Sequence, residues 1–412
     1  MRSRPARRAL AVAALTATVL VTASCSSPSG SGGAAAGGAT GTPLKIGVMA
    51  PNKAVISYPD VPAAAQAAAR SINAKGGVDG HPLEIMYCND KFDANQATAC
   101  ARQFVSDGVV ATAGDFNVPG QANVLGALGA AGIPSVGNFD AGTAGTDKYS
   151  FLFQGSTIID SAGQAQYAAG LGKNVGMVFS DQPSASSSVP VAQDIVKAAG
   201  GTVTSVVRTP NTGDLSAAAS TTVSGKPDVV LMNGGEGAIG SIMKSMVQLG
   251  YQNKFVVSGS AISPSFLESL GPTAKQVYIS GIYPPVSQAS TIPGMQLLLS
   301  DLAAERAAGN TDVPAATSFI RDPAVNAWLA VYAIAKVAGD AKATDAKGIY
   351  DALNKAKDLD FGGIIHPWTP SASVIKILPR VSSGFRFFYA YNGGTPVLAA
   401  NQPTDIAPLL DK

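Results

Sequence analysis

Residue types that commonly carry enzyme chemistry are scarce in this sequence. The two histidines, His81 and His366, each stand beside a proline and lie far apart along the chain. Neither belongs to a metal-ligand spacing such as HExxH, and no Gly-x-Ser-x-Gly nucleophile motif occurs. We therefore predict surface or turn roles for both histidines, and no catalytic site, metal or cofactor.

Polar and aromatic side chains do cluster in loops that follow short apolar runs. In open parallel sheets, ligands bind beyond the carboxyl ends of the strands, and this rule selects the loops as candidate sites. The candidate ligand-binding residues are Tyr58, Phe116, Asn117, Asn138, Phe139, Asp181, Glu236, Ser260 and Tyr283.

The chemistry of these candidates suits a zwitterion with a hydrophobic tail. Asn117, Asn138 and helix-start N–H groups would hold a carboxylate, and Asp181 or Glu236 would hold an ammonium. Tyr58, Phe116, Phe139 and Tyr283 would wall the apolar part. Simpler roles stay open. The acids would then cap or flank helices, Asn138 would belong to a turn, and both phenylalanines would belong to the core.

Alternating strand and helix patterns position these loops. The apolar runs are rich in Val and Ile and lack polar alternation, as in parallel strands buried on both faces. The predicted strands are Leu44–Ala50, Leu83–Cys88, Val109–Ala113, Ile133–Val136, Val175–Phe179, Thr202–Val207, Val229–Met232, Phe255–Ser258 and Val277–Ile282. Helical patterns lie between them, for example Asp60–Ala74 and Ala94–Asp107. The fold class predicted is α/β, with two doubly wound parallel sheets.

After Tyr283 the pattern changes to longer helices, Pro293–Ala308 and Pro323–Ala338, followed by Lys347–Ala356. Mixed strands are predicted at Val374–Leu378 and Phe385–Tyr391. Such a C-terminal part is typical of a chain that returns to lobes it built earlier.

The N-terminal segment has the pattern of an export signal. Basic residues end at Arg8, an apolar stretch runs from Ala9 to Val21, and small residues precede Cys25. This order resembles a bacterial lipobox, so we predict a signal peptide over 1–24 and lipidation of Cys25, with plain secretion as the alternative. Residues 25–43 are rich in Ser, Gly and Ala and predict a flexible tether.

Charge and cysteine content fit an exported binding protein. Removing the four arginines of the leader leaves 25 Lys and Arg against 27 Asp and Glu, and no basic stripe indicates nucleic-acid binding. Cys88 and Cys100 then form an even pair outside the cytoplasm, where disulfides persist. We predict a bridge between them, with two free buried thiols as the alternative.

Several ordered segments resemble one known family. They include Leu44-Lys45-Ile46-Gly47-Val48, Asn73-Ala74-Lys75-Gly76-Gly77-Val78-Asp79-Gly80, Asn89-Asp90, Ala131-Gly132-Ile133-Pro134 and Pro227-Asp228-Val229-Val230. In order and spacing the chain resembles type I periplasmic binding proteins of ABC importers, in particular the Leu/Ile/Val-binding group. In relatives that bind branched amino acids an acidic residue pairs with the α-amino group, and Glu236 is its nearest match here. Their carboxylate-binding hydroxyl residues fall near Asn117 and Asn138, which is a departure from the family pattern.

The resemblance implies two lobes joined by three hinge crossovers with the ligand between them. Lobe 1 would comprise 44–155 and 283–368, and lobe 2 would comprise 156–282 and 369–412. The function implied is a monomeric extracytoplasmic lipoprotein, not an enzyme. It would deliver a small ligand to the membrane subunits of an ABC permease. The alternative is a sensor of the same fold that acts on a signalling partner.

Overall fold

Parallel sheets form the centres of two lobes. The computed structural model describes residues 38–117, 119–153, 156–182, 184–315, 319–391, 395–399 and 403–411. The strands of the first sheet are β1 (Leu44–Met49), β2 (Leu83–Cys88), β3 (Ala111–Ala113), β4 (Ser135–Val136) and β5 (Ser150–Phe151). They pair in parallel in the order β2-β1-β3-β4-β5. We call the part built on this sheet lobe 1.

The second sheet is the centre of lobe 2. Its strands are β6 (Asn174–Ser180), β7 (Thr202–Thr209), β8 (Val229–Asn233), β9 (Lys254–Ser258), β10 (Val277–Gly281), β11 (Phe385–Ala390) and β12 (Val397–Leu398). They follow the order β12-β11-β10-β9-β8-β6-β7, and β13 (Thr404–Asp405) pairs with β11. Strands β6 to β10 are parallel, whereas β11 runs antiparallel to β10.

Helices cover these sheets. They are α1 (Asp60–Ala74), α2 (Ala94–Ser106), α3 (Gln121–Ala130), α4 (Thr157–Leu171), α5 (Ala185–Ala198), α6 (Ser216–Ser224), α7 (Glu236–Gln248), α8 (Pro264–Ser269), α9 (Pro293–Ala307), α10 (Asp322–Ala341), α11 (Ala346–Lys355) and α12 (Ala407–Leu410). Short 3₁₀ helices lie at Gly271–Gln276 and Val286–Thr291.

The hydrophobic cores show how the chain is divided between the lobes. One core combines residues from Leu44 to Phe153 with residues from Ile282 to Trp368. In it the alanine-rich helix α1 packs closely on α10, because alanine side chains let two helices approach. Two further clusters, built on β6 to β11 and their helices, form the interior of lobe 2.

The predicted two-lobe α/β fold is confirmed, with local differences. The strand predicted at Val374–Leu378 was wrong, because that segment forms turns in which Ile375 and Leu378 enter the lobe 2 core. Ile377 instead stays 59% exposed. Strand β5 and helix α8 were not predicted, since a two-residue strand and a six-residue helix carry little periodicity.

The structure contains the predicted bridge between Cys88 and Cys100. It joins the end of β2 to helix α2, with the two Cα atoms 5.7 Å apart. The export signal, Cys25 and most of the predicted tether lie outside the described residues. Among the helices that are described, none has the length and apolar character needed to span a membrane.

Candidate functional site

A cleft of about 560 Å³, its opening to solvent included, lies between the lobes at the carboxyl ends of both sheets. Lobe 1 contributes Ile56, Tyr58, Phe92, Phe116 and Phe139. Lobe 2 contributes Thr157, Asp160, Ser180, Gln182, Ser184, Asn211, Asn233, Gly234, Gly235, Ser258, Ser260 and Ala261. The cleft therefore has one mainly aromatic wall and one mainly polar wall.

The aromatic wall is a continuous row of rings. Phe116 lies between Tyr58 and Phe139, with ring centroids 4.1 and 5.0 Å away and tilted planes. The close packing of strand β3 on helix α10 fixes this row. Gly114, just before the loop, has a φ of +63°, and a Cβ there would lie 2.3 Å from the Cα of Ala327. A larger residue at 114 would therefore displace the loop that carries Phe116.

Tyr58 links the two walls. Its hydroxyl donates a 2.8 Å hydrogen bond to the carbonyl oxygen of Ser260 in lobe 2. On the lobe 1 side, the guanidinium of Arg321 lies over the Tyr58 ring, 4.2 Å from its centroid. Burial raises the pKa of Tyr58, so its phenol stays protonated and remains a donor across the cleft. This contact holds the lobes together at one end of the site.

The polar wall is built from strand ends and helix starts. Asn233 ends β8 and donates to the hydroxyl of Ser161 at 3.3 Å. Asn211, which follows β7, accepts a hydrogen bond from the backbone N–H of Gly235 at 3.1 Å. Amide and hydroxyl groups of this kind can both donate to and accept from a bound molecule.

Asp160 is the ionisable carboxyl of this wall. It lies in the first turn of α4 and is 2% exposed. Its Oδ1 is 3.5 Å from Nη1 of Arg386 on β11, and Arg386 is 1% exposed. Within the described part of the chain, neither that oxygen nor the Nε and Nη1 of Arg386 has a hydrogen-bond partner.

A second carboxyl lies behind the cleft at the crossing between the lobes. Asp322, at the start of α10, accepts hydrogen bonds from the hydroxyl of Ser260 at 3.3 Å and from the backbone N–H of Ile282 at 3.2 Å. Burial, opposed by nearby Arg386 and reinforced by Asp160, raises the pKa of Asp322 to about 7. Asp322 is therefore part of the contact between lobes and titrates near neutral pH.

Four of the nine predicted ligand residues line the cleft. Tyr58, Phe116, Phe139 and Ser260 lie there, as the rule about strand ends predicts. Asn117 and Asn138 are buried beside it, and Asn138 accepts a hydrogen bond from the hydroxyl of Ser150.

The structure places the two predicted acids elsewhere. Asp181 points away from the cleft because Arg208 on the neighbouring strand β7 pairs with it at 2.7 Å, and its side chain is 63% exposed. Glu236 accepts a 2.9 Å hydrogen bond from the backbone N–H of Ser263, the N-cap residue of α8. Both acids thus have local structural partners.

Tyr283 also lies outside the cleft. Its hydroxyl donates to Asn326, its carbonyl accepts from Tyr389, and it lines a separate small cavity where the chain leaves β10. These contacts follow from its position at a crossing between lobes. They make Tyr283 part of the connection rather than of the wall.

Sequence reasoning missed Asp160, Thr157 and Asn211. Helix α4 begins at Thr157, so Thr157 and Asp160 lie in a helix start rather than in a loop that directly follows a predicted strand, and the rule for strand ends did not select them. Ser156, which accepts from the backbone N–H of Ile158, is the N-cap and was the available signal. Asn211 follows a strand, and the rule applied to the other strands would have selected it.

Two α/β lobes with a ligand-sized cleft at their facing strand ends are characteristic of the bilobal binding proteins. Residues 43–372 match the family model described as periplasmic binding protein, and the chain belongs to that family. The family is one of binding proteins, in agreement with the prediction that this chain is not an enzyme. No curated protein sequence matches the chain significantly.

Solved structures share this fold at low sequence identity. A substrate-binding periplasmic protein from Ralstonia solanacearum has a TM-score of 0.74 at 16% identity, covering 86% of this chain and 99% of its own. The branched-chain amino acid transporter substrate-binding protein LivJ from Streptococcus pneumoniae, in complex with isoleucine, has a TM-score of 0.73 at 18% identity, with coverages of 88% and 99%. An ABC transporter solute-binding protein from R. palustris, in complex with 4-hydroxybenzoate, has a TM-score of 0.73 at 16% identity, with coverages of 88% and 97%.

Proposed function

We propose that this chain is the extracytoplasmic solute-binding protein of an ABC-type importer. The observation that carries the proposal is the cleft between the lobes, lined from both sides by strand-end residues in a chain of the periplasmic binding protein family. Its similarity in fold to substrate-binding proteins of ABC transporters supports the same assignment. The ligand is a branched-chain or related amino acid, an amide or a small carboxylate.

Binding works by closure of the lobes, which we assign to 44–155 with 283–368 and to 156–282 with 369–412. A ligand that contacts both walls favours the closed state by its extra affinity for that state. We assign the Tyr58–Ser260 bond, which joins the two lobes, to the closed arrangement. The membrane subunits of the permease would recognise the closed pair of lobes and receive the ligand.

The N-terminal segment would keep the protein at the outer face of the membrane. Cleavage before Cys25 and lipidation of its thiol would leave residues 25–43 as a tether. Metabolic labelling with a radioactive fatty acid tests this part. We expect the fatty-acid label on the wild-type protein and no label on the Cys25→Ser variant. That variant would be released into the medium. Label that persists on the Cys25→Ser protein would remove the anchor from the proposal.

Ligand screening with a structural readout tests the main proposal. The purified chain without residues 1–25 is heated with amino acids, amides, amines and small aromatic acids. Compounds that raise the melting temperature are then examined by small-angle X-ray scattering. A true ligand stabilises the folded protein by mass action and lowers its radius of gyration.

Two tryptophan variants provide a matched pair. Ala261→Trp places an indole in the cleft and should abolish the ligand-induced shift in melting temperature. Leu249→Trp lies on an exposed surface of lobe 2 and should leave the shift unchanged. Equal shifts in both variants would show that the compound binds outside the cleft and would overturn the proposal.

A further inference from the structure

One aromatic ring of the cleft is not part of the hydrophobic core. The described residues that line the cleft include four aromatic ones, Tyr58, Phe92, Phe116 and Phe139. Tyr58 and Phe116 belong to the lobe 1 core, and Phe139 packs against it. Phe92 is half-buried and belongs to none of the core clusters that the described residues form. The packing of the core therefore does not explain why an aromatic residue stands at this position.

The backbone at Phe92 has an unfavourable conformation. Lys91 and Phe92, in the loop between β2 and α2, have φ values of +53° and +58°. Residues with a Cβ avoid this left-handed region because the Cβ comes too close to the following carbonyl oxygen, and a bulky residue is an outlier there. Glycine would adopt the same turn without this cost. Strained backbone of this kind is concentrated at functional sites, which directs attention to the ring that this backbone carries.

Hydrogen bonds within the loop hold this conformation. The side-chain oxygen of Asn89 accepts from the backbone N–H of Lys91 at 2.9 Å, and Oδ1 of the buried Asp90 accepts from the backbone N–H of Phe92 at 3.1 Å. The backbone N–H of Asp93 donates to the carbonyl oxygen of Asp90 at 2.9 Å. Polar groups of the loop thus determine its backbone, and the ring of Phe92 is the apolar group that this turn places at the cleft.

Neighbouring elements fix the loop on both sides. The disulfide between β2 and α2 closes the segment that contains it. The side-chain amide of Asn89 exchanges two hydrogen bonds of 2.9 Å with the backbone of Asn52, in the loop that follows β1. On the other side, a Cβ at Gly120, directly before α3, would lie 2.9 Å from the Cα of Ala94, so these two loops are in contact. Loops that follow three neighbouring strands therefore hold one another in place at the cleft.

The ring of Phe92 still has surface that a ligand can cover. Tyr58 and Phe116 are only 4% and 6% exposed, so they have little apolar area left to bury. Phe92 and Phe139 are half-buried and offer most of the remaining aromatic area of the cleft. Covering apolar area removes it from water and favours binding in proportion to the area covered. A ligand gains this term only if its apolar body is large enough to reach the ring.

We propose that Phe92 is a specificity-determining residue of the cleft: its ring contacts the apolar body of the bound ligand and makes the cleft prefer a branched or ring-sized body to a small one. The inference rests on the proposed function, because it concerns the ligand of the same cleft. It places no restriction on the polar head of the ligand, since the amide and hydroxyl groups of the lobe 2 wall can both donate and accept hydrogen bonds.

Probes with one head and different bodies test the inference on the wild-type protein. Each series carries a methyl, an isobutyl and a benzyl body. The series are alanine, leucine and phenylalanine; propanoate, 4-methylpentanoate and 3-phenylpropanoate; and the amides of these three acids. Calorimetry on the chain used in the screen measures each affinity. In the series whose head binds best, we expect the isobutyl or benzyl probe to bind at least about tenfold more tightly than the methyl probe, and equal affinities would overturn the inference.

Two glycine variants of the same loop assign the preference to Phe92. Both positions have left-handed φ values, so glycine suits the backbone equally at either one. Phe92→Gly should weaken binding of the isobutyl and benzyl probes roughly tenfold and change binding of the methyl probe less than about twofold. Lys91→Gly, which removes an exposed side chain, is the matched control and should alter none of these affinities. If Phe92→Gly does not fold, Phe92→Asn replaces it, because asparagine also tolerates the left-handed conformation.

The outcomes separate this inference from the proposed function. If the probes bind and lower the radius of gyration but Phe92→Gly leaves their order of affinity unchanged, the solute-binding function stands and the inference fails. An equal loss for all three bodies also overturns it, because Phe92 would then only maintain the shape of the loop. If a different compound from the screen closes the lobes, its affinity for Phe92→Gly relative to Lys91→Gly decides, with a loss of roughly tenfold in support and no loss against. If no compound closes the lobes, both proposals fail.

Discussion

Among the described residues, each lobe buries one aspartate–arginine pair, and the two pairs differ in how completely they are bonded. In lobe 1, Arg321 donates from Nε to Asp60 at 2.8 Å and from Nη1 to the carbonyl of Ser57 at 3.1 Å, and its third nitrogen also bonds to Asp60. In lobe 2, Arg386 and Asp160 approach only to 3.5 Å.

The surroundings explain the difference. Arg321 stands at the N-terminus of α10 directly against the start of α1, so both side chains meet in a bidentate geometry and the guanidinium also covers the Tyr58 ring. Arg386 lies within strand β11 beneath α4, where the sheet and helix fix the distance between the two groups. The first pair is complete by itself, and the second leaves buried oxygen and nitrogen atoms without hydrogen-bond partners among the described residues.

From this difference we expect the fully bonded lobe 1 pair to contribute more to the stability of the fold than the partly bonded lobe 2 pair. Loss of one partner of the fully bonded pair leaves a buried charge without its counter-ion, so it should affect folding. A partly bonded buried pair recovers less of the desolvation cost of its charges, so replacing both partners together should cost little stability. The following predictions test this division, beginning with the largest expected effect.

Breaking the lobe 1 pair should destabilise the protein most. Arg321→Met leaves Asp60 buried without a cation and removes the contact with Tyr58. We expect the free energy of unfolding to fall by about 3–5 kcal/mol, as measured by urea denaturation. The double variant Asp60→Asn, Arg321→Met should lose less because no charge is left unpaired. A loss below about 1 kcal/mol for Arg321→Met would contradict the structural role of this pair.

Asp322 should make stability depend on pH, because burial, with a smaller contribution from Asp160, raises its pKa from 3.8 to about 7. Between these pH values the folded chain holds a proton that the unfolded chain releases, so this contribution is complete below about pH 4 and is lost as pH rises through 7. The full difference amounts to about 4 kcal/mol at most.

Urea denaturation across pH 4 to 8 measures this effect. Asp322→Asn should show a smaller fall in stability over that range than the wild type. Asp115, whose pKa burial also raises to about 7, is present in both proteins and cancels in the comparison. Parallel curves for the two proteins would contradict the assignment.

Removing the lobe 2 pair as a whole should separate binding from folding. Asp160→Asn with Arg386→Met leaves no unpaired charge, and we expect the free energy of unfolding to change by about 1 kcal/mol or less. Because Asp160 lines the cleft, affinity for a ligand identified by the screen should still fall. Denaturation and calorimetry on the same sample measure both quantities. A stability loss as large as that of Arg321→Met would show that the two pairs serve the same purpose.

The exposed pair between Asp181 and Arg208 should matter least. Their side chains are 63% and 42% exposed, and such pairs contribute about 1 kcal/mol or less. Asp181→Asn should therefore leave both stability and ligand affinity nearly unchanged, as thermal and calorimetric titrations would show. A tenfold loss of affinity would instead return Asp181 to the ligand site, as the sequence predicted.

The fold and the location of the site could largely be predicted from the sequence. Helix α1 and strand β2 have the predicted bounds, Asp60–Ala74 and Leu83–Cys88. Periodic apolar patterns predict helices and strands of this kind because the spacing of the apolar residues itself shows which face is buried. The rule for strand ends then placed Tyr58, Phe116 and Ser260 at the cleft, since it requires only the direction of parallel strands.

Only the tertiary structure decided which polar side chains face the cleft. Asp181 follows a strand as expected, but Arg208 on the adjacent strand holds it outward, and Ser263 engages Glu236. The N-cap Ser156 marks locally only the helix start that carries Asp160, and it is β11, nearly 230 residues later, that brings Arg386 beneath this carboxyl. A side chain's direction depends on partners that are distant in sequence, whereas a strand or helix depends on its own pattern. This is why the sequence determined the cleft and the folded chain determined its chemistry.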